Sequence, residues 1–296
     1  MTLSTESRRI TITIVVDNEA GAGLEGEHGL ALWIDTGDRR LLFDTGRSEL
    51  LLSNAESLHI DLAEADAVIL SHGHYDHSGG LAPLLRHGHT FALYCHPAAV
   101  HPRYAVRNRQ AKSLQMPRAS MTALDRFPQE HLHWVQQPIL LAPGIGLTGP
   151  ILRTSAFEDT GGPFFLDQAG HRPDPVDDDL ALWIDSGSGL IVCVGCAHAG
   201  LINTLQQVLH QQPHRRLQAV IGGFHLLNAD RRRMESTITA LRRLAPEHII
   251  PCHCTGEEAV QQLRHTFGRR CRPGMVGMQL LFPGQGDRPE TVPTTL

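Results

Sequence analysis

The 296-residue chain is predicted to be a four-layer αββα sandwich, an α/β fold built from two similar halves. Three observations predict it. The hexapeptide LALWID occurs at residues 30–35 and again at 180–185, each copy holding one of only three tryptophans. The elements that follow each copy come in the same order. Apolar strands in both halves end in histidine, with His72 and His96 in the first half corresponding to His225 and His253 in the second.

Taken in order, ITITIVV (10–16) alternates as a strand does. GLALWIDTGDRRLLFDTG then reads against DLALWIDSGSGLIVCVGC. In each, a strand runs through the Trp, a Gly turn follows and a second apolar strand returns, which is a hairpin signal. Helical stretches come next, at 48–58 and 200–210. Buried strands follow in ADAVILSHGHYDH and LQAVIGGFHLLNADR, then helices in GGLAPLLRHG and ADRRRMESTITALRRLA, then the strands of FALYCHPAAV and HIIPCHCTGEEAV. Residues 98–150 have no counterpart of that length and are expected to form a cap-like insertion within a single domain spanning 1–296, beside the site. The Pro-, Gly- and Thr-rich tail (283–296) is expected to add no element.

Hydrophobic content of 41% and charged content of 19% suit a globular protein with a substantial core. With 26 basic against 31 acidic residues the formal charge is −5, which does not suggest a nucleic-acid partner. The basic run at 231–233 reads as a solvated helix face. No segment has the length of a membrane span, and the N-terminus lacks the pattern of a secretory signal. The chain is therefore expected to be cytoplasmic, with its six cysteines reduced and a small molecule as substrate.

The chemistry concentrates in SHGHYDHSGG (71–80), which joins an apolar strand to a helix. His72 and His74 are two apart, so in extended chain both project to one side and can meet one ion. Asp76 and His77 lie where the chain turns, presenting a carboxylate and an imidazole to a second position. Divalent cations of intermediate softness favour such donors.

His72-x-His74-x-Asp76-His77 resembles the signature of the metallo-β-lactamase superfamily, whose fold is this duplicated sandwich. VVDN, EHGLALWI, LLFDTG, SHGHYDHSGGL, GCAHAGLINTL, GGFHL and PCHCTG extend the resemblance over nearly the whole chain. They look like its dihydropteroate synthase-like, or dihydropterin–ribofuranosylaminobenzene phosphate synthase-like, branch. The resemblance implies two divalent metal ions, zinc foremost, with manganese or iron as alternatives. His72, His74 and His198 would hold the first, and Asp76, His77 and His253 the second. Asp44 in LLFDTG is expected to orient a ligating histidine from behind. Members usually place an aspartate after a glycine to bridge the metals, whereas this chain has Gly195-Cys196. Cys196 is either a thiolate ligand of the second metal or a small buried residue beside the ligands.

His225 is expected to touch substrate or move a proton, with Asp76 as the other candidate for proton transfer. Arg153 and Glu158 in GPILRTSAFE are weaker candidates for substrate binding, and Glu27-His28, before the first Trp strand, stands where it could approach the cleft but is assigned no role. The expected activity is hydrolysis of a small phosphorylated or ester-type metabolite through a metal-bound hydroxide. Two alternatives stand beside it: transfer of a pterin methyl unit to an aminobenzene acceptor, and a metal-poor binding or sensory protein on the same fold.

Overall fold

The computed structural model describes residues 9–86, 88 and 90–283, so the tail from residue 284 lies outside the described residues. In chain order the strands are β1 (Ile10–Val16), β2 (Ala31–Asp35), β3 (Arg40–Phe43), β4 (Ala67–Ile69), β5 (Ala92–Cys95), β6 (Tyr104–Arg107), β7 (Gln110–Ser113), β8 (Leu132–Trp134), β9 (Ile139–Ala142), β10 (Ile145–Leu147), β11 (Phe164–Phe165), β12 (Ala181–Asp185), β13 (Leu190–Val194), β14 (Leu217–Gly223), β15 (His248–Cys252) and β16 (Gln279–Phe282). The α-helices are α1 (Leu50–Ser57), α2 (Tyr75–Ser78), α3 (Leu81–Arg86), α4 (Arg118–Asp125), α5 (Leu201–Gln211), α6 (Arg231–Leu244) and α7 (Glu257–Phe267).

The alternation within LALWID explains why it is used twice. Side chains on a strand point to opposite faces with period two. Leu30, Leu32 and Ile34 join Leu180, Leu182 and Ile184 in one apolar cluster, with Ile10, Ile12 and Ile14 of β1 and Ile221 of β14. Trp33 faces the other way, onto Leu51 and Ala55 of α1 and Leu84 of α3. Trp183 likewise faces Leu201, Leu205 and Val208 of α5 and Leu241 of α6. Each copy is thus buried on both faces, and each such leucine or isoleucine contributes about 1.5–3 kcal/mol of burial free energy. The three clusters are the three interfaces of a four-layer αββα sandwich.

The seven-stranded sheet runs β16-β1-β2-β3-β4-β5-β8, and the six-stranded sheet runs β15-β14-β13-β12-β10-β9. Pairing repeats between them. β1–β2 and β2–β3 are antiparallel while β3–β4 and β4–β5 are parallel. β10–β12 and β12–β13 are antiparallel while β13–β14 and β14–β15 are parallel. Even the hairpin turns agree: Asp35 Oδ1 accepts from Gly37 N at 2.7 Å, and Asp185 Oδ1 from Gly187 N at 2.9 Å. The two glycines have φ of 82° and 83°, a left-handed conformation that a side chain would strain.

Two expectations need correction. Of residues 98–150, only the β6–β7 hairpin stands apart, joined by β11 in a three-stranded sheet of its own. β8 instead extends the first sheet, and β9 and β10 the second, because Leu132, Ile145 and Leu147 are buried. The basic run is not wholly a solvated face either. Arg231 pairs with Glu235 one turn on, but Arg233 is buried and pairs with Asp159. No helix among the described residues is long and apolar enough to cross a membrane.

Candidate metal centre

Loops at the carboxyl ends of parallel strands converge on one cleft, the usual place for a site in sheets of this kind. β3 delivers Asp44, β4 delivers His72 to His77, β13 delivers Cys196 and His198, β14 delivers His225, and β15 delivers His253 and Cys254. Strand ends of both halves thus contribute. The β4 loop is pinned tightly. A Cβ on Gly73, between the first two histidines, would lie 1.8 Å from the Ala99 carbonyl oxygen, so no side chain fits there.

The histidines are held in one tautomer. Asp44 is fully buried and accepts from Ser71 N, Ser71 Oγ and His77 Nδ1, each at 2.7 Å. Ser71 Oγ has one proton, given to Asp44, so at 2.9 Å it accepts from His72 Nδ1. His198 Nδ1 donates to the Thr160 carbonyl at 2.9 Å, and His253 Nδ1 to Asn18 Oδ1 at 2.8 Å. All four rings therefore carry their proton on Nδ1 and turn an Nε2 lone pair elsewhere.

Those lone pairs meet. His72 Nε2 is 3.0 Å from His74 Nδ1, and His77 Nε2 is 3.1 Å from Cys196 Sγ. His198 Nε2, His253 Nε2, His74 Nε2 and His225 Nδ1 are buried without a hydrogen-bond partner. Asp76 Oδ2 is 3.1 Å from His28 Nε2 and 3.4 Å from His253 Nε2. Among the described residues, four groups bring their donor atoms within 4.8 Å of one another: His72, His74 and His198; His72, His77 and Cys196; Cys196, His225 and Cys254; and His28, Asp76 and His253. Buried nitrogens without protein partners are rare because each costs desolvation free energy. A divalent cation satisfies several of them at once, so these residues fit one.

Burial pushes the His72, His74 and His198 imidazoles well below their usual range, keeping them neutral and able to ligate. His77 goes the other way. Burial opposes its charge, but the Asp44 carboxylate outweighs it and raises the pKa. Burial also works against an ionised Asp76, yet the His253, His28 and His77 imidazoles gathered around it hold that carboxyl well below its usual range. Burial pushes the Cys196 thiol up, so a cation beside it is what would make it a thiolate.

The residues expected from the sequence are thus largely gathered here, with some differences. His77 meets His72 and Cys196, while Asp76 and His253 meet His28. His225 faces the thiols of Cys196 and Cys254, and its ring lies 4.4 Å from that of His198. Arg153 and Glu158 do not line the cleft. Arg153 Nη1 donates to the His198 carbonyl at 2.7 Å, bracing that loop from outside. Glu158 accepts from Ile202 N and Asn203 N at 2.8 and 2.9 Å, and so caps the start of α5.

In the sequence alone, His28 and Cys254 carry no assigned role, and two consecutive aspartates before the second LALWID go unnoticed. Asp178 Oδ2 accepts from Gly73 N at 2.7 Å, fixing the His72–His74 loop. Asp179 Oδ2 accepts from Ala199 N at 2.6 Å, fixing the His198 loop, and burial pushes its carboxyl up to about 7. The triple Asp in VDDDL was the available signal.

The Asp44 network carries a test. An amide in place of this carboxylate would offer N–H to His77 Nδ1 or Ser71 Oγ, reversing a tautomer. Asp44→Asn is expected to weaken zinc binding about 10–100-fold while the chain stays folded. Competition against a chelating dye measures this, and unchanged affinity contradicts the tautomer assignment.

The fold and cleft define a class of protein, and comparison with known proteins agrees. The chain belongs to the metallo-beta-lactamase superfamily, which its residues 24–206 match. It is 31% identical over 259 residues to the 7,8-dihydropterin-6-methyl-4-(beta-D-ribofuranosyl)-aminobenzene-5'-phosphate synthase of Methanocaldococcus jannaschii, covering 81% of this chain and 85% of that protein. The crystal structure of Tm1679, described as a metal-dependent hydrolase of the beta-lactamase superfamily, is similar with a TM-score of 0.80 and 29% identity, over 93% of this chain and 99% of that one. Zn(2+)-bound PqqB from Methylobacterium extorquens shares the fold at a TM-score of 0.55 and 12% identity, over 91% of this chain and 99% of that one.

Proposed function

We propose that this superfamily enzyme is a metal-dependent hydrolase of a small phosphorylated or ester-type metabolite. Two divalent ions, zinc foremost, would be held by His72, His74 and His198 on one side and by Asp76, His77 and His253 on the other. The observation that carries this reading is the set of four imidazoles whose Nδ1 protons are tied to Ser71, Asp44, Thr160 and Asn18. That arrangement leaves their Nε2 atoms free to ligate. The similarity to Tm1679 supports the reaction class.

When bound, such ions polarise a carbonyl or phosphoryl oxygen and bring the pKa of bound water towards neutrality. The protein's own share is to orient and exclude. His74 and His198 pack against Phe164 at 5.4 and 5.2 Å, so an apolar ring walls one side of the cleft. Asp76, kept ionised by the imidazoles around it, is placed to accept and return a proton. The cleft encloses about 1170 Å³, which suits a small molecule. Arg107, Lys112 and Arg264 share its lining with Asp17, Glu19, Asp76 and Glu257, so the cleft is not basic as a whole; the two cations on the β6–β7 hairpin, Arg107 and Lys112, support a substrate with an anionic end. A cytoplasmic setting is part of this reading, supported by six buried cysteines that carry no disulfide.

Protein stripped with chelator should lose turnover on a panel of phosphate esters and lactones, and regain it with Zn²⁺ or Mn²⁺. Turnover indifferent both to chelation and to His72→Ala contradicts the reading. The likeness to the Methanocaldococcus synthase favours a second one, in which the same cleft holds the diphosphate of a pterin methyl diphosphate during transfer to an aminobenzene acceptor. A product containing both rings would favour transfer, and hydrolysis alone would reject it.

A further inference from the structure

Two thiols and an imidazole in the cleft are left over from the donor sets assigned above. Cys196, His225 and Cys254 come from the loops after β13, β14 and β15, and their donor atoms lie within 4.8 Å of one another. All three line the cleft.

Their backbone is unusual in the same place. Ala197, His225 and His253 have φ of 49°, 48° and 45°, so each of the three loops carries a non-glycine residue in the left-handed region. Such residues cost free energy and cluster where a side chain must be aimed. Here they adjoin Cys196, coincide with His225 and adjoin Cys254. His225 Nδ1 is moreover buried with no hydrogen-bond partner. Two cysteines serving only as packing would need no such loops. Cys252, two residues before Cys254, packs in the apolar cluster between the sheets and, although it also reaches the cleft wall, joins none of the donor groups.

We propose that Cys196, Cys254 and His225 form a sulfur-rich position for a thiophilic divalent cation, with Cys196 shared towards the His72–His77 side of the cleft. The sharing follows from Cys196 Sγ lying 3.1 Å from His77 Nε2. Two sulfurs and one imidazole nitrogen suit zinc, and three protein donors leave a position open to a fourth ligand. His225 is then a ligand, not a group in proton transfer. The inference deepens the proposed metal-dependent reading of this cleft, because it changes which donors hold the second ion.

The test uses the full chain, stripped of metal and reloaded with Zn²⁺ or Co²⁺. Zinc X-ray absorption should show sulfur neighbours at about 2.3 Å, and the cobalt form should show sulfur-to-metal charge-transfer absorption in the near ultraviolet. Cys254→Ser should remove about half of the sulfur signal, and Cys196→Ser with Cys254→Ser all of it. Unaltered protein supplies a check independent of variants that fail to fold: zinc should protect Cys196 and Cys254 from alkylation, as mapped by mass spectrometry.

A nitrogen- and oxygen-only shell overturns the proposal. So does a sulfur signal that survives both substitutions, equal alkylation with and without zinc, or a Cys196–Cys254 disulfide in the isolated protein. The hydrolase reading fails separately. A chain inactive on every ester and phosphate that still shows two sulfurs on zinc keeps this inference and loses that one.

Discussion

His198→Ala is expected to cut turnover about a thousandfold, equivalent to about 4 kcal/mol of transition-state stabilisation. His198 lies 126 residues beyond His72 in sequence, yet the rings are 4.8 Å apart, as are those of His198 and His74. Alanine there removes one of the three imidazoles proposed to share a cation position. It should leave the fold intact, because the His198 backbone is held independently by Arg153. Steady-state kinetics beside a far-ultraviolet circular dichroism spectrum separates the two effects. Turnover within a few-fold of the unaltered chain, with zinc retained, would remove His198 from the centre.

The second large effect lies away from the cleft. Arg103 is 1% exposed, its guanidinium pairing with Asp178 and, at 3.2 Å, with Asp174. Asp178 in turn holds Gly73 N, between the first two histidines of the site. Arg103→Met would leave two buried carboxylates without their cation, a loss expected to cost about 3–5 kcal/mol. The melting temperature should fall by roughly 10 °C. Adding Asp174→Asn and Asp178→Asn should recover part of this, because the uncompensated charge is gone. A melting temperature unchanged by Arg103→Met would show that the carboxylates find other partners.

Much of this fold was legible in the sequence because its central strands are buried on both faces. β2 and β12 read as LALWID for that reason, and their Asp-x-Gly turns mark the hairpins. Resemblance to the superfamily's signature then pointed to His198 and His253 once the β4 loop had shown its four donors. What escaped depends on loops meeting in space. Nothing local tells that Asp178 and Asp179 will pin two loops of the site, or that His28 will face Asp76. Glu158 misled because a carboxylate that caps a helix 44 residues further on looks, in sequence, like one that binds substrate. The strands β8, β9 and β10 are three or four residues long, too short to show alternation.

The most direct measurement is zinc titration of metal-free protein in a cycle of His72→Ala, His198→Ala and the double variant, followed by calorimetry. If imidazoles from both halves share a cation, each single variant should lose the same binding event, and the double variant should lose no more than either. Two separate losses that add, or stoichiometric zinc retained at full affinity in the double variant, would contradict a shared cation.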